Sequence, residues 1–397
     1  MQFVPASEIE SRLQRFQTRL RGAQVDGALI QQRTDLFYLS GTAQNGILCV
    51  GPEEEPLFLT QKSRARAREE SPIANQVPLA SPRELVETLR RNGRVQFKRL
   101  GLGLDNLPAN DYRRYQELFP GAEIVDISPE IRELRMVKSE YEIRQMEGAA
   151  EILRVVFAEV PAILAASERE IDACAAVEAA LRRQRHQGLV RIRRWNMELA
   201  GATLVAGASA CRPVAFDGAD GFEGLYVACP QSGGERLLRP GEPIMVDLVA
   251  GHQGYLVDKT RIFAIGRLRD NELLEAHRTA LRLQDEVSSR LRPGASCGQI
   301  YTQVMEIASA SPHRAGFMGW GENQVAFLGH GVGLELDEMP ILSARSRSTL
   351  KEGMTVAVEP KFFFGDRGGV GIENTWVVTP EGCRNLTADS SDEIVIV

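Results

Sequence analysis

Apolar and polar positions change their spacing several times along the chain, and each change predicts an element. Residues 7–23 (SEIESRLQRFQTRLRGA) place apolar side chains at helical intervals. Ser7, followed three residues later by Glu10, predicts a capping box there. Short apolar runs follow at 25–30, 46–50 and 56–60. Helical patterns at 82–92 and 109–118 and strands near 100–104 and 122–127 complete a modest α/β domain. This stretch holds no catalytic cluster. Its glycines at 101–105 (GLGLD) open no helix of the dinucleotide-binding type, so a structural or dimerising role is expected. A long helix is predicted from Ser139 to about 165, with Ser139 and Glu142 as a capping box. A second runs from Ser167 to about His186, with Glu170 completing the same signature. Two more helical patterns occupy about 270–291 and 297–309, and no solenoid repeat is present.

Between these helix pairs lie two strand-rich stretches of similar design. Residues 243–265 (PIMVDLVAGHQGYLVDKTRIFAI) read as two β-branched strands around a Gly/His/Gln/Gly turn. Asp247 lies in the first strand and Asp258 in the second. Residues 355–378 (TVAVEPKFFFGDRGGVGIENTWVV) repeat the arrangement, with Glu359 and Glu373 on either side of a Gly-rich turn. An acid inside an apolar strand is costly unless it is paired or metal-bound. Between the hairpins, His330 sits in Gly329-His330-Gly331, where flanking glycines allow close backbone approach to a ligand. Taken singly, each acid has a structural reading: Asp258 can pair with Arg261, and Glu373 can hydrogen-bond a turn. Taken together, four carboxylates and one imidazole suit two divalent cations, without which the acids could not all stay ionised close together.

Composition narrows the class. The 397 residues suit about two to three domains. A hydrophobic share of 43% and a charged share of 25% are ordinary for a soluble globular protein. Lys and Arg number 47 and Asp and Glu 53, giving a net charge of −6, which argues against a generally basic nucleic-acid protein. With only 5 histidines, carboxylates must do most of any metal binding. The cysteines, at 49, 174, 211, 229, 297 and 383, form no C-x-x-C pair and predict reduced, mostly buried thiols in a cytoplasmic protein. The N-terminus has neither the basic nor the apolar region of a signal peptide. No apolar run reaches the ~18 residues of a membrane span.

The joint pattern Asp247-x10-Asp258, Gly-His330-Gly, Glu359-Pro and Gly-Ile-Glu373-Asn-Thr resembles the pita-bread metallopeptidases: prolidase, aminopeptidase P, methionine aminopeptidase and the non-peptidase creatinase. The stretch 134–152 (LRMVKSEYEIRQMEGAAEI) is similar to that family's entry into the catalytic domain. The resemblance implies an α+β fold. It comprises a creatinase-type α/β domain over 1–130 and a pita-bread domain over 131–397, with pseudo-twofold hairpins covered by helices. It implies two divalent ions (Mn, Co, Zn or Fe) about 3.5–4 Å apart with a shared activated water. By the same likeness Asp247 chelates one ion, His330 and Glu359 the other, and Asp258 and Glu373 bridge both, with Glu359 also shuttling a proton. The activity implied is Xaa-Pro dipeptide or aminopeptide hydrolysis, by a homodimer acting on small peptides, with no nucleic-acid or membrane partner.

Three positions depart from the family's pattern. Val214, Ala326 and Asp337 stand where histidines that bind substrate are expected. An imidazole can donate to an oxyanion, whereas an ionised Asp337 repels one and suits a cationic or donor-rich group, so Asp337 joins Glu359 as a candidate catalytic residue. Residues 215–233 (AFDGADGFEGLYVACPQSG) look inserted, and either shape the substrate space or form a neutral surface loop. The same metal site acting on a non-peptide molecule, and a metal-binding protein without turnover, are the competing readings. Finally, Arg182, Arg183, Arg185, Arg191, Arg193 and Arg194, followed by Trp195, read either as a carboxylate-recognising cluster or as a helix C-terminus with an exposed strand.

Overall fold

The computed structural model describes residues 2–94, 96–388 and 391–397. It divides into two compact units, Met1–Arg135 and Met136–Val397. The helix Ser128–Met136 runs through the junction expected between 130 and 131, and the chain divides at the end of that helix. No described helix is long and apolar enough to cross a membrane. All six cysteines are free thiols; Cys229 is exposed and Cys383 half-buried, and the others are buried.

In the first unit the apolar runs become Gly27–Ile30, Gly46–Val50 and Leu57–Thr60, each buried along its whole length. They pair antiparallel in that order, while Arg99–Leu102 and Glu123–Asp126 extend the sheet in parallel on the far side of Gly27–Ile30. Leu29, Ile47, Leu57, Leu59 and Leu100 form the centre of one core face. Each such side chain stabilises the fold by about 1.5–3 kcal/mol. The capping box expected at Ser7 is not formed. The helix Ala6–Gly22 starts one residue earlier, after Pro5, whose fixed φ of −56° already suits the entry, and no side chain caps it. The short helix Arg33–Ser40 escaped the periodicity because it is almost wholly buried; it is capped by the Gln32 side chain and ends on Gly41 at φ +76°.

The second unit is built from two facing half-sheets. One has the order Val395–Ile396, Tyr255–Ala264, Ile244–His252, Ala202–Ala206. The other runs Glu338–Leu342, Gly329–Gly331, Thr355–Val358, Asn374–Thr379, Gly382–Asn385. Helices Glu140–Ala166 and Glu170–Arg183 pack on the first, Cys297–Ser309 packs on Glu338–Leu342 of the second, and Asn271–Ser288 packs on a separate two-stranded ribbon, Lys361–Phe363 with Gly369–Gly371. The first hairpin turns at Gln253 (φ +51°) and Gly254 (φ +94°). Positive φ at both central residues is the two-residue turn whose twist matches the flanking strands.

Ser139 caps Glu140–Ala166 as predicted: its hydroxyl accepts the Glu142 N–H, and Glu142 accepts the Ser139 N–H. Ser139→Ala should lower stability by about 1 kcal/mol; a urea midpoint unchanged within error would show the box contributes nothing. The box expected at Ser167 and Glu170 is not formed. Ser167 closes the preceding helix, and Arg169 with Asp172 opens the next. Glu170 instead turns inward and accepts the Ala206 N–H at 2.7 Å and the Gly234 N–H at 3.1 Å. A fully buried carboxylate needs such donors.

Candidate metal centre

Strand register brings the predicted residues together. In the first hairpin Asp247 stands opposite Thr260, and Asp258 opposite Val249. Alternate residues share a face, so Asp247 and Asp258 lie diagonally on one face of adjacent strands. In the second half His330 and Thr375 both stand opposite Ala357. Glu359, two residues beyond Ala357, and Glu373, two before Thr375, therefore share that face. The halves are stitched together at the same level. The Asp258 N–H donates to the Thr375 hydroxyl at 3.0 Å, and that hydroxyl donates to the Asp258 carbonyl at 2.9 Å. The Glu373 N–H donates to the Thr260 carbonyl at 3.3 Å. Arg261, weighed as a structural partner for Asp258, reaches Asp392 at 2.7 Å, Asn374 at 2.9 Å and the Glu373 carbonyl at 2.9 Å. All five predicted residues line one cleft that opens to solvent, with a cavity volume of about 40 Å³.

Asp258, His330 and Glu373 are buried and each offers a ligand atom within 4.8 Å of the others. Two details suit this group to a cation. The His330 Nδ1 lies 3.1 Å from the carbonyls of both Gly331 and Leu336. Both are acceptors, so Nδ1 carries the proton and Nε2 presents a lone pair to the centre, the arrangement that orients a metal-binding imidazole. Glu373 Oε1 is buried with no hydrogen-bond partner, and such an atom is costly unless a ligand meets it.

A residue outside the predicted set occupies the other side of the centre. Lys361 Nζ lies 3.0 Å from Asp220, 3.1 Å from Asp247, 3.1 Å from Glu359 and 3.2 Å from Glu373. It continues the same face, because it follows Glu359 by two residues and pairs with Gly371, two before Glu373. Burial opposes its charge, but the surrounding acids outweigh burial and hold the ammonium well above the usual lysine value. Burial pushes Asp220 up to about 7 and Glu373 up to about 8 against the pull of Lys361. Burial, with Glu373 and Asp247 adding repulsion, raises Asp258 well above the aspartate range. Burial acts the same way on Asp247, yet Lys361 beside it wins and keeps it low.

The cleft walls answer the other sequence expectations. Asp337 lines the cleft, 40% exposed, with Oδ1 3.6 Å from His330 Nδ1. The 215–233 segment is not a neutral loop: Phe216, Asp217, Asp220 and Phe222 all line the cleft. Phe327, beside Ala326, adds another aromatic wall. The arginine cluster splits. Arg182 caps a carbonyl and Arg183 pairs with Glu159 at 3.0 Å, as a helix end does. Arg193 lies 3.6 Å from buried Glu335, and Arg194 pairs with Asp217 of the cleft wall. Trp195 is 83% exposed.

With this geometry in place, comparison with known proteins is direct. The signature of metallopeptidase family M24 matches residues 144–380, and that of the creatinase/prolidase N-terminal domain matches 12–137. The chain belongs to metallopeptidase family M24. The Xaa-Pro dipeptidase of Pyrococcus furiosus is 26% identical over 384 residues, covering 96% of this chain and 98% of that protein. The crystal structure of the prolidase from Pyrococcus horikoshii OT3 superposes with a TM-score of 0.79 at 21% identity, over 96% of this chain and 99% of that one. The N-terminal domain of the FACT complex subunit SPT16 from Cicer arietinum superposes with a TM-score of 0.75 at 15% identity, over 98% and 99%. The creatinase-type N-terminal domain and pita-bread C-terminal domain of this M24 member are thus the expected ones. A fold shared that widely leaves the chemistry to the site.

Proposed function

We propose that this M24 protein is a metal-dependent peptidase acting on short Xaa-Pro peptides. The observation that carries the reading is the buried group Asp258, His330 and Glu373, with convergent ligand atoms at the base of an open cleft. One imidazole among carboxylates suits Mn²⁺, Co²⁺, Fe²⁺ or Zn²⁺. A divalent cation held there supplies Lewis acidity and makes water a nucleophile near neutral pH.

The chain's own residues do the rest. The carbonyls of Gly331 and Leu336 hold the His330 ring in one tautomer and one orientation. Glu359, with Oε2 3.1 Å from Lys361 Nζ and Oε1 3.7 Å from His330 Nε2, is placed to take a proton from the attacking water. It then hands that proton to the leaving amine. Phe216, Phe222 and Phe327 give the cleft apolar walls against which a proline ring can pack. The Asp337 carboxylate, part-exposed among the lining residues, suits the ammonium of a short peptide. That assignment gives the substituted histidine position a use that an oxyanion donor could not serve.

Assay of the metal-loaded protein with Ala-Pro, Gly-Pro and Xaa-Pro-Xaa tripeptides tests the reading. Hydrolysis above background that disappears in Asp258→Ala is the expected result. A protein that takes up metal but leaves every one of these peptides intact would remove the peptidase assignment.

A further inference from the structure

Lys361 is the part of the centre that the peptidase reading leaves without a chemical role. Its side chain is 1% exposed, and carboxylates from four separate segments surround it: Asp220 and Asp247 on one side, Glu359 and Glu373 on the other. An ammonium has three N–H donors and meets four carboxylates here, so it acts as a compact point charge at the centre of an oxygen cage. Asp220 comes from the 215–233 segment, which means the segment and the lysine build one feature together.

We propose that Lys361 stands in for one of the two cations implied by the family resemblance. The centre then takes a single divalent ion, on Asp258, His330 and Glu373, with the ammonium as its permanent partner. This rests on the reading that those three residues bind metal. The steric argument is direct. Carboxylate oxygens bind divalent ions of this class at about 2.0–2.2 Å, whereas around the Lys361 nitrogen they stand at 3.0–3.2 Å. An ion placed among the four oxygens that face Lys361 would collide with the ammonium, and one bound to the Asp247 or Glu373 oxygen from another side would still be repelled by its charge. Asp247, expected to chelate an ion, gives its Oδ2 to the lysine.

Glu373 shows how the two positions join. Its Oε2 faces Lys361 at 3.2 Å and accepts from the Thr260 hydroxyl at 2.8 Å. Its Oε1 is buried with no hydrogen-bond partner. One carboxylate thus spans the ammonium and the ligand group of Asp258, His330 and Glu373, as a bridging carboxylate spans two ions. The ammonium has no open coordination position with which to ligate and acidify water, so it fixes charge and geometry while the single ion remains the exchangeable cation.

The full chain, stripped of metal and titrated with Mn²⁺, tests this by elemental analysis and by electron paramagnetic resonance. The wild type should bind about one equivalent and give the six-line spectrum of an isolated Mn²⁺. Lys361→Gly, which removes the ammonium, should bind about two equivalents and give the broadened spectrum of a spin-coupled pair. Lys361→Met, which keeps the bulk without the charge, should stay at one. Two equivalents or a coupled spectrum in the wild type would overturn the lysine assignment while keeping the metal reading. So would a folded Lys361→Gly that stays at one equivalent. No uptake by the wild type, with Mn²⁺, Co²⁺ or Zn²⁺ in excess, would overturn the metal-dependent reading itself. The wild-type spectrum decides the matter even where a variant fails to fold.

Discussion

His330→Ala is expected to fold and yet to bind Mn²⁺ at least ~100-fold more weakly than the parent, with Ala-Pro hydrolysis falling to background. The imidazole is the only nitrogen donor in the group with Asp258 and Glu373. It is held rigidly, because Nδ1 donates to two backbone carbonyls at 3.1 Å. Alanine leaves the strand pairing of residue 330 with Ala357 intact, since those bonds are main-chain. The loss should therefore appear in calorimetric Mn²⁺ titration and not in circular dichroism. Unchanged affinity in a folded variant would mean that His330 is a structural residue.

Lys138→Met should lower stability by about 3–5 kcal/mol, because it removes one partner of a buried ion pair. Lys138 Nζ lies 3.0 Å from Glu338 Oε2, and the two side chains are 1% and 7% exposed. The Glu338 carboxylate also accepts the Glu335 N–H at 3.1 Å. That bond tethers the turn whose Leu336 carbonyl orients His330, so metal affinity should weaken along with stability. The double variant Lys138→Met/Glu338→Met should regain much of the stability, since a buried pair can often be exchanged for apolar groups at little net cost. A urea midpoint for the single variant close to the parent's would show that the pair is not what anchors this turn.

Much of the fold was legible because its signals are local. Apolar, β-branched runs around Gly-containing turns marked the strands of both hairpins, and Ser139 with Glu142 marked the entry to the first long helix of the second unit. What failed was also local in form but was decided elsewhere. Glu170 reads as a helix-capping residue, yet tertiary packing turned it inward to serve the backbone at Ala206 and Gly234. The convergence was readable because Asp247, Asp258 and His330 lie in strands whose faces alternate, and Glu359 and Glu373, although just outside the strands Thr355–Val358 and Asn374–Thr379, keep to the same alternation. Lys361 obeys the same rule. It follows Glu359 by two residues inside the apolar run Lys361-Phe362-Phe363, so its place on the ligand face was available from spacing alone. Its positive charge sets it apart from the acids and histidine that signal a metal site. Asp220 left no comparable signal. It reaches the centre only through the path of the 215–233 segment, which no periodicity encodes.

The lysine also changes how the substituted histidines are understood. On the proposed assignment, Asp337, Asp220 and Lys361 alter the charge of the cleft together, which makes the centre a rebuilt M24 site and not one that has merely lost parts. Direct placement of the cation tests this. Anomalous diffraction at the manganese edge from crystals grown with Mn²⁺ should show one peak, bounded by Asp258, His330 and Glu373, with the Lys361 nitrogen still among its four carboxylates. Two peaks, with Lys361 displaced, or no peak at saturating Mn²⁺, would contradict the account.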